Sequence, residues 1–104
     1  MYKRQILTGR PFTAEEAYDW GVVNRLVAAD QLLPEALATA ERIAQNAPIS
    51  VRQAKKSLNM SEQIDLRNGY DYEIEAYNRM VPTEDRLEGV RAFNEKRPPD
   101  FKGR

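Results

Sequence analysis

Four cations close the sequence around one aromatic ring, with Lys96, Arg97, Lys102 and Arg104 standing beside Phe101. Ammonium and guanidinium groups at that density could hold a phosphate-bearing ligand through charge-assisted hydrogen bonds. The competing reading is a solvated tail, since cations just past a helix already complement the negative end of its dipole. A second group, Tyr70, Tyr72 and Tyr77, could stack on a flat ring. The same spacing also suits a helix that packs its tyrosines at the edge of a core. Carboxylates pair at Glu15/Glu16 and at Glu84/Asp85, but neighbours on a helix point about 100° apart and do not converge on one substrate atom. Their place in first turns fits the dipole instead. Glu73 and Glu75 diverge likewise and read as a solvated face.

Composition removes most other chemistry. The 104 residues contain no Cys and no His, which excludes disulfides, thiol nucleophiles, thiolate metal sites and every arrangement built on imidazole. Carboxylates, hydroxyls, Lys and backbone remain. Lys+Arg and Asp+Glu stand at 16 each, so no net field draws the chain onto nucleic acid or an anionic membrane. No phosphate-cradling Gly loop, nucleophile elbow or metal-ligand cluster occurs. No apolar run reaches spanning length and no leader pattern opens the sequence. The expectation is a soluble, cytoplasmic protein of at most one ordinary domain with a thin core, without nucleic-acid or membrane partners and with no metal.

The elements that must position these residues are mostly helical. Met1 to Gln5 show no periodicity, and Ile6-Leu7-Thr8-Gly9 reads as the last turn of a helix closed by Gly9 in the left-handed region. Thr13 and Glu16 have capping-box spacing, with Phe12 placed to staple onto Ala17, and Gly21 stops that short helix. Val22-Val23-Asn24-Arg25-Leu26-Val27 has the β-branched content of a strand. No second strand candidate is present, so its partner is expected outside this sequence. Asp30 is the next candidate cap, followed by a stripe of Leu33, Leu37, Ala40, Ala44 and Ala47. Pro48 suits the start of a helix carrying Val51, Ala54 and Leu58. Asp65 can cap a helix with Leu66, Tyr70, Ile74, Tyr77 and Val81 on one side. Thr83 caps the last, in which Leu87, Val90 and Phe93 share a side. Pro98-Pro99 then end it, leaving an extended tail that must dock or stay free. A Phe at position 101 argues for docking.

Four segments in this order carry a resemblance: Ile6 to Ala17, Gly21 to Val27, Thr83-Glu84-Asp85 to Gly89, and Ala92-Phe93-Asn94-Glu95-Lys96-Arg97-Pro98-Pro99-Asp100-Phe101-Lys102-Gly103-Arg104. Together they look like the C-terminal part of the enoyl-CoA hydratase/isomerase (crotonase) superfamily. The match runs from Ile6 to Arg104 and is specific to the superfamily rather than to one member. What it implies for the fold is a mainly α chain, the C-terminal helical segment of a ClpP/crotonase-like α/β spiral, with one short strand Val22-Val27 lacking its partner. Residues 1–5 depart from the family pattern, which a truncated reading frame would explain. Residues 6–28 would end the crotonase core, and residues 29–104 would form the helical trimerisation region and basic tail.

The resemblance assigns the family's thioester-binding backbone N–H groups and its catalytic glutamates to the half that precedes this segment. It therefore implies no catalytic residue here. Lys96 aligns with a lysine that contacts the phosphates of coenzyme A, and Tyr77 with an aromatic that lies against coenzyme A in some members. The implied substrate is an acyl-CoA thioester, with coenzyme A entering as part of the substrate rather than as a cofactor. The implied assembly is a homotrimer or a dimer of trimers. The activity expected of the whole enzyme is enoyl-CoA hydration. Isomerase, dehydratase, naphthoyl-CoA synthase and hydrolase chemistries share the scaffold, and a non-enzymatic helical interaction module is the alternative from another class.

Overall fold

The computed structural model describes residues 3–104 as six α-helices and one 3₁₀ turn. They are α1 (Lys3–Thr8), α2 (Ala14–Asp19), α3 (Leu32–Ala44), α4 (Pro48–Ser61), α5 (Leu66–Asn78) and α6 (Glu84–Glu95), with the 3₁₀ turn at Ala29–Gln31. The chain divides into two compact units at Leu37/Ala38.

In the first unit, local chemistry sets the helix ends. The Thr13 hydroxyl accepts from the Glu16 N–H at 3.2 Å while a Glu16 carboxylate oxygen accepts from the Thr13 N–H at 3.1 Å. Two otherwise orphaned donors are thereby satisfied reciprocally. Arg10 pairs with the same carboxylate at 2.7 Å, and its guanidinium lies 5.9 Å from the Trp20 ring centre. The Phe12 ring faces Trp20, with centroids 5.4 Å apart. Gly9 and Gly21 both adopt positive φ, +65° and +71°, as helix-ending glycines do at no steric cost.

Three expectations are corrected here. The stretch ahead of Ile6 is helical from Lys3 onward, and Gln5 is buried within α1; a helix of six residues is too short to display a stripe, so periodicity missed it. Met1 and Tyr2 lie outside the described residues. Val22-Val27 is not a strand: Val22 to Asn24 bend and Arg25 to Val27 run on without regular structure. Strand character requires a hydrogen-bonded neighbour, and β-propensity alone does not supply one. Among the described residues there is no strand at all. Finally, Asp30 does not cap α3; it sits inside the 3₁₀ turn, which runs directly into Leu32 and leaves no separate cap position.

The second unit contains the α4–α5 hairpin, α6 and the tail. Pro48 opens α4 at its first position, Asp65 caps α5 by accepting from the Asn68 N–H at 3.1 Å, and Thr83 caps α6 by accepting from the Arg86 N–H at 3.2 Å. The packing is thin. Among the described residues, the buried apolar side chains are Ala17, Ala76 and Ala92. The stripes of Leu33 and Leu37 on α3, and of Leu87, Val90 and Phe93 on α6, stay exposed.

Candidate functional site

The C-terminal tail neither waves freely nor leaves α6. It folds back along the helix and is held by two carboxylates of that helix. Asp85, at 3% exposure, accepts from the Lys102 N–H at 2.7 Å and from the Gly103 N–H at 2.8 Å. Its own N–H donates to the Arg104 carbonyl at 3.1 Å. One turn on, Glu88 accepts from both terminal nitrogens of Arg97, at 2.6 and 3.1 Å, and from the Asp100 N–H at 3.0 Å. Bidentate carboxylate–guanidinium pairing of this kind is both strong and directional. Hydrogen bonding from Arg97 first, then from the Asp100 N–H, holds the Glu88 carboxyl down at about 2.

The Phe101 ring lies over Gly89 of α6, where a Cβ would sit at an ordinary contact distance of 3.7 Å, and is half-buried there. At the far end Gly103 takes φ +77°, the left-handed region that favours glycine. Asp85 was legible only as a first-turn carboxylate suited to the dipole, and Glu88 carried no sequence signal of its own.

The turn between helix and tail is unusual in its occupant. The Lys96 N–H bonds to the Phe93 carbonyl at 3.3 Å and the Arg97 N–H to the Ala92 carbonyl at 3.1 Å, the paired bonds of a Schellman ending. Lys96 occupies its left-handed position at φ +53°, ψ +39°. Glycine is the usual residue there, and a side chain in that conformation costs on the order of 1–3 kcal/mol.

The basic group read from the sequence is thus largely spent inside the chain. Arg97 is engaged by Glu88 and by Glu95 at 2.6 Å, Lys102 by Asp100 at 2.7 Å, and Arg104 by Glu84 at 3.0 Å. Lys96 is exposed, and its ammonium makes no ion pair among the described residues. Of the four cations it is the one without an ion pair among the described residues; the Lys102 and Arg104 pairs lie in solvent and hold their partners only weakly.

Tyr77 belongs to a different feature. Between α4 and α5 runs an open groove of about 590 Å³, lined by Leu58, Ile64, Tyr70, Tyr72, Tyr77 and Met80 among others. Tyr70 and Tyr77 are exposed and Tyr72 is half-buried. All three line the groove; Tyr70 and Tyr77, seven apart on α5, fall on one side of that helix, and Tyr72, two from Tyr70, diverges from them. Lys96 does not line this groove. The paired carboxylates stay divided as their spacing requires, with Glu16 holding the Thr13 cap and Asp85 holding the tail. Among the described residues no set of three acidic side chains could hold a metal ion, and no helix is long and apolar enough to cross a membrane.

Comparison with known proteins gives this geometry a context. The family model described as enoyl-CoA hydratase/isomerase matches residues 2–104, and so takes in Lys3 to Gln5, which the segment-by-segment resemblance had set apart. YngF of Bacillus subtilis is 45% identical over 101 residues, covering 97% of this chain and 39% of that protein. A carnitinyl-CoA dehydratase of Salmonella arizonae is 40% identical over 102 residues, covering 94% and 39% respectively. The crystal structure of an enoyl-CoA hydratase from Bacillus anthracis superposes with a TM-score of 0.95 at 44% identity, over 98% of this chain and 40% of the other. The chain spans about two fifths of the length of these relatives.

Proposed function

The chain belongs to the enoyl-CoA hydratase/isomerase (crotonase) family, and from that premise we propose that it is the C-terminal part of a cytoplasmic acyl-CoA-processing enzyme, an enoyl-CoA hydratase adding water to a trans-2-enoyl-CoA to give a 3-hydroxyacyl-CoA. The observation that carries this reading is the superposition on the Bacillus anthracis hydratase, near-complete for this chain and partial for that one. Hydration needs a donor pair for the thioester oxygen and a carboxylate acid/base pair at the double bond. The chain's paired carboxylates do not converge, and Glu16 and Asp85 are engaged in capping and in holding the tail, so in this reading the reacting groups come from elsewhere in the enzyme and the 104 residues are inactive alone. The exposed stripes on α3 and α6 support a role in contacts within a trimer or a dimer of trimers.

What this chain adds to catalysis is substrate binding. Lys96 presents an unpaired ammonium on a fixed turn, suited to a phosphate of coenzyme A. Tyr77, on the same side of α5 as Tyr70, offers an aromatic surface to another part of the same molecule. Both are remote from the reacting carbons, so they bind ground and transition states alike and act on KM rather than on kcat. Dehydration, named in the carnitinyl-CoA dehydratase relative, would make the same demands on these residues, because adding and removing water across one carbon–carbon bond are opposite directions of one reaction.

The test is an activity assay on two proteins: this chain alone, and the Bacillus anthracis hydratase with this chain in place of its matching segment. Crotonyl-CoA should be hydrated by the second and not by the first. Turnover by the chain alone, surviving repurification, would contradict the assignment of the reacting groups; an assembled but inactive chimera would contradict the family placement of the site.

A further inference from the structure

We propose that Glu88 is a positioning residue for Lys96, and the inference rests on the phosphate reading of Lys96 given above. Lys96 holds a left-handed conformation that favours glycine. Such a conformation persists only where the surroundings over-determine it. The two backbone bonds of the turn are present in any Schellman ending, including those that carry glycine, so they do not by themselves account for a lysine at this place. Glu88 supplies what they lack. Its side chain is only 14% exposed, and it grips the chain at the residue immediately after Lys96, through both terminal nitrogens of Arg97, and again at the Asp100 N–H. With its exit fixed at two points, the turn cannot relax to the right-handed or extended backbone that lysine prefers.

The same grip has an electrostatic consequence. Arg97 lies next to Lys96 and would otherwise be the better phosphate ligand, with its planar fork of donors. Glu88 and Glu95 occupy that fork. The carboxylate therefore holds the backbone on which Lys96 stands and engages its competitor, leaving one unengaged cation where two adjacent ones stand in the sequence. The groups facing Glu88 are Arg97 and the Asp100 N–H from the tail and, at 3.8 Å, Arg91 from its own helix.

The experiment follows the full chain by NMR while coenzyme A or pantetheine, which lacks the phosphates, is titrated in at low salt. The intraresidue amide-to-Hα NOE of Lys96, strong at positive φ and weak at the negative φ that lysine prefers, reports its backbone without any ligand. Glu88→Gln should weaken that NOE and lower the affinity for coenzyme A by about three- to tenfold, less than the loss of the charge-assisted bond itself. It should leave pantetheine unchanged and have no further effect on affinity in a Lys96→Ala background. Arg97→Lys keeps the charge and loses the fork, so it should move affinity the same way by less; it also guards against a Glu88→Gln chain that does not fold. Tighter coenzyme A binding by Glu88→Gln would overturn the proposal, since it would make the freed Arg97 the better ligand. So would an unchanged Lys96 NOE, or an equal loss in the Lys96→Ala background. Failure of the phosphate reading itself shows earlier and separately, as a wild-type chain that does not distinguish coenzyme A from pantetheine, and the positioning role falls with it.

Discussion

The segment from Thr83 to Arg104 and the segment from Val22 to Ala44 have similar lengths and opposite habits. The first satisfies itself: its helix is capped by Thr83, its tail is tied to Asp85 and Glu88, and three of its terminal cations are paired within it. The second holds an ion pair of its own between Arg25 and Glu35 but leaves its apolar side chains uncovered. Val22, Val23 and Leu26 are exposed in a stretch without regular structure, and α3 buries none of its residues. The difference teaches where each kind of stability comes from. Polar partners supplied at a distance of 12 to 18 residues order a tail with almost no apolar core. Apolar stripes without a covering surface add little to the chain that carries them.

Substituting Asp85 by Ala should break the contrast most sharply. Two backbone N–H groups would lose a buried acceptor, at a cost of about 1–3 kcal/mol for the stranded groups. We expect a loss of about 2–3 kcal/mol in denaturant unfolding, with fast amide exchange at Lys102 and Gly103. Retained protection at those two amides would show that the tail is held by something else. Acid should reach a similar end without a substitution. The folded Glu88 carboxyl sits at about 2 against an ordinary value of 4.5, so its stabilising contribution is complete above about 4.5 and disappears as the pH falls toward 2. Exchange at Asp100 should accelerate through that window, and the effect should be lost in Glu88→Gln.

Substituting Lys96 by Gly should sharpen the comparison in the other direction. It removes the strain of a side chain at φ +53° and should stabilise the chain by about 1 kcal/mol, read as a higher denaturation midpoint at an unchanged slope. A stability gain that accompanies a loss of ligand affinity is the signature expected of a residue retained for function rather than for folding. The smallest effect is expected on the other segment. Leu33→Ala, at a position 66% exposed on α3, should change the stability of the isolated chain by no more than about 0.5 kcal/mol.

The helix caps were legible because their chemistry is local. Thr13 with Glu16, Asp65 and Thr83 each announce a helix start through residues two to four apart, and each makes the expected bond. Gly9 and Gly21 were legible for the same reason. Val22-Val27 was misread because β-branched content describes how a residue fits beside a neighbouring strand, and none is present among the described residues to make it one. The tail clamp was hidden because a carboxylate that bonds to main-chain N–H groups many residues away leaves no periodicity and no residue-type pattern. Of the candidate site, Lys96 and Tyr77 came from the resemblance and not from spacing. The structure separates them, placing Lys96 on the turn after α6 and Tyr77 in the α4–α5 groove. That Lys96 has no ion pair among the described residues could be seen only once Arg97, Lys102 and Arg104 had found their carboxylates.

The Lys96 ammonium is tested most directly by the affinity of the chain for coenzyme A with and without Lys96, at low and at high salt. Lys96→Ala should weaken coenzyme A by roughly five- to thirtyfold at low ionic strength, the equivalent of about 1–2 kcal/mol for a charge-assisted bond at a partly solvated rim. The gap between wild type and variant should narrow as salt screens the pair. Lys96→Arg should retain much of the affinity, and Lys96→Glu should lose more than Ala does. Equal affinities for wild type and Lys96→Ala at low salt, in chains that fold alike, would contradict the phosphate role and leave Lys96 as no more than a cation at the end of a helix.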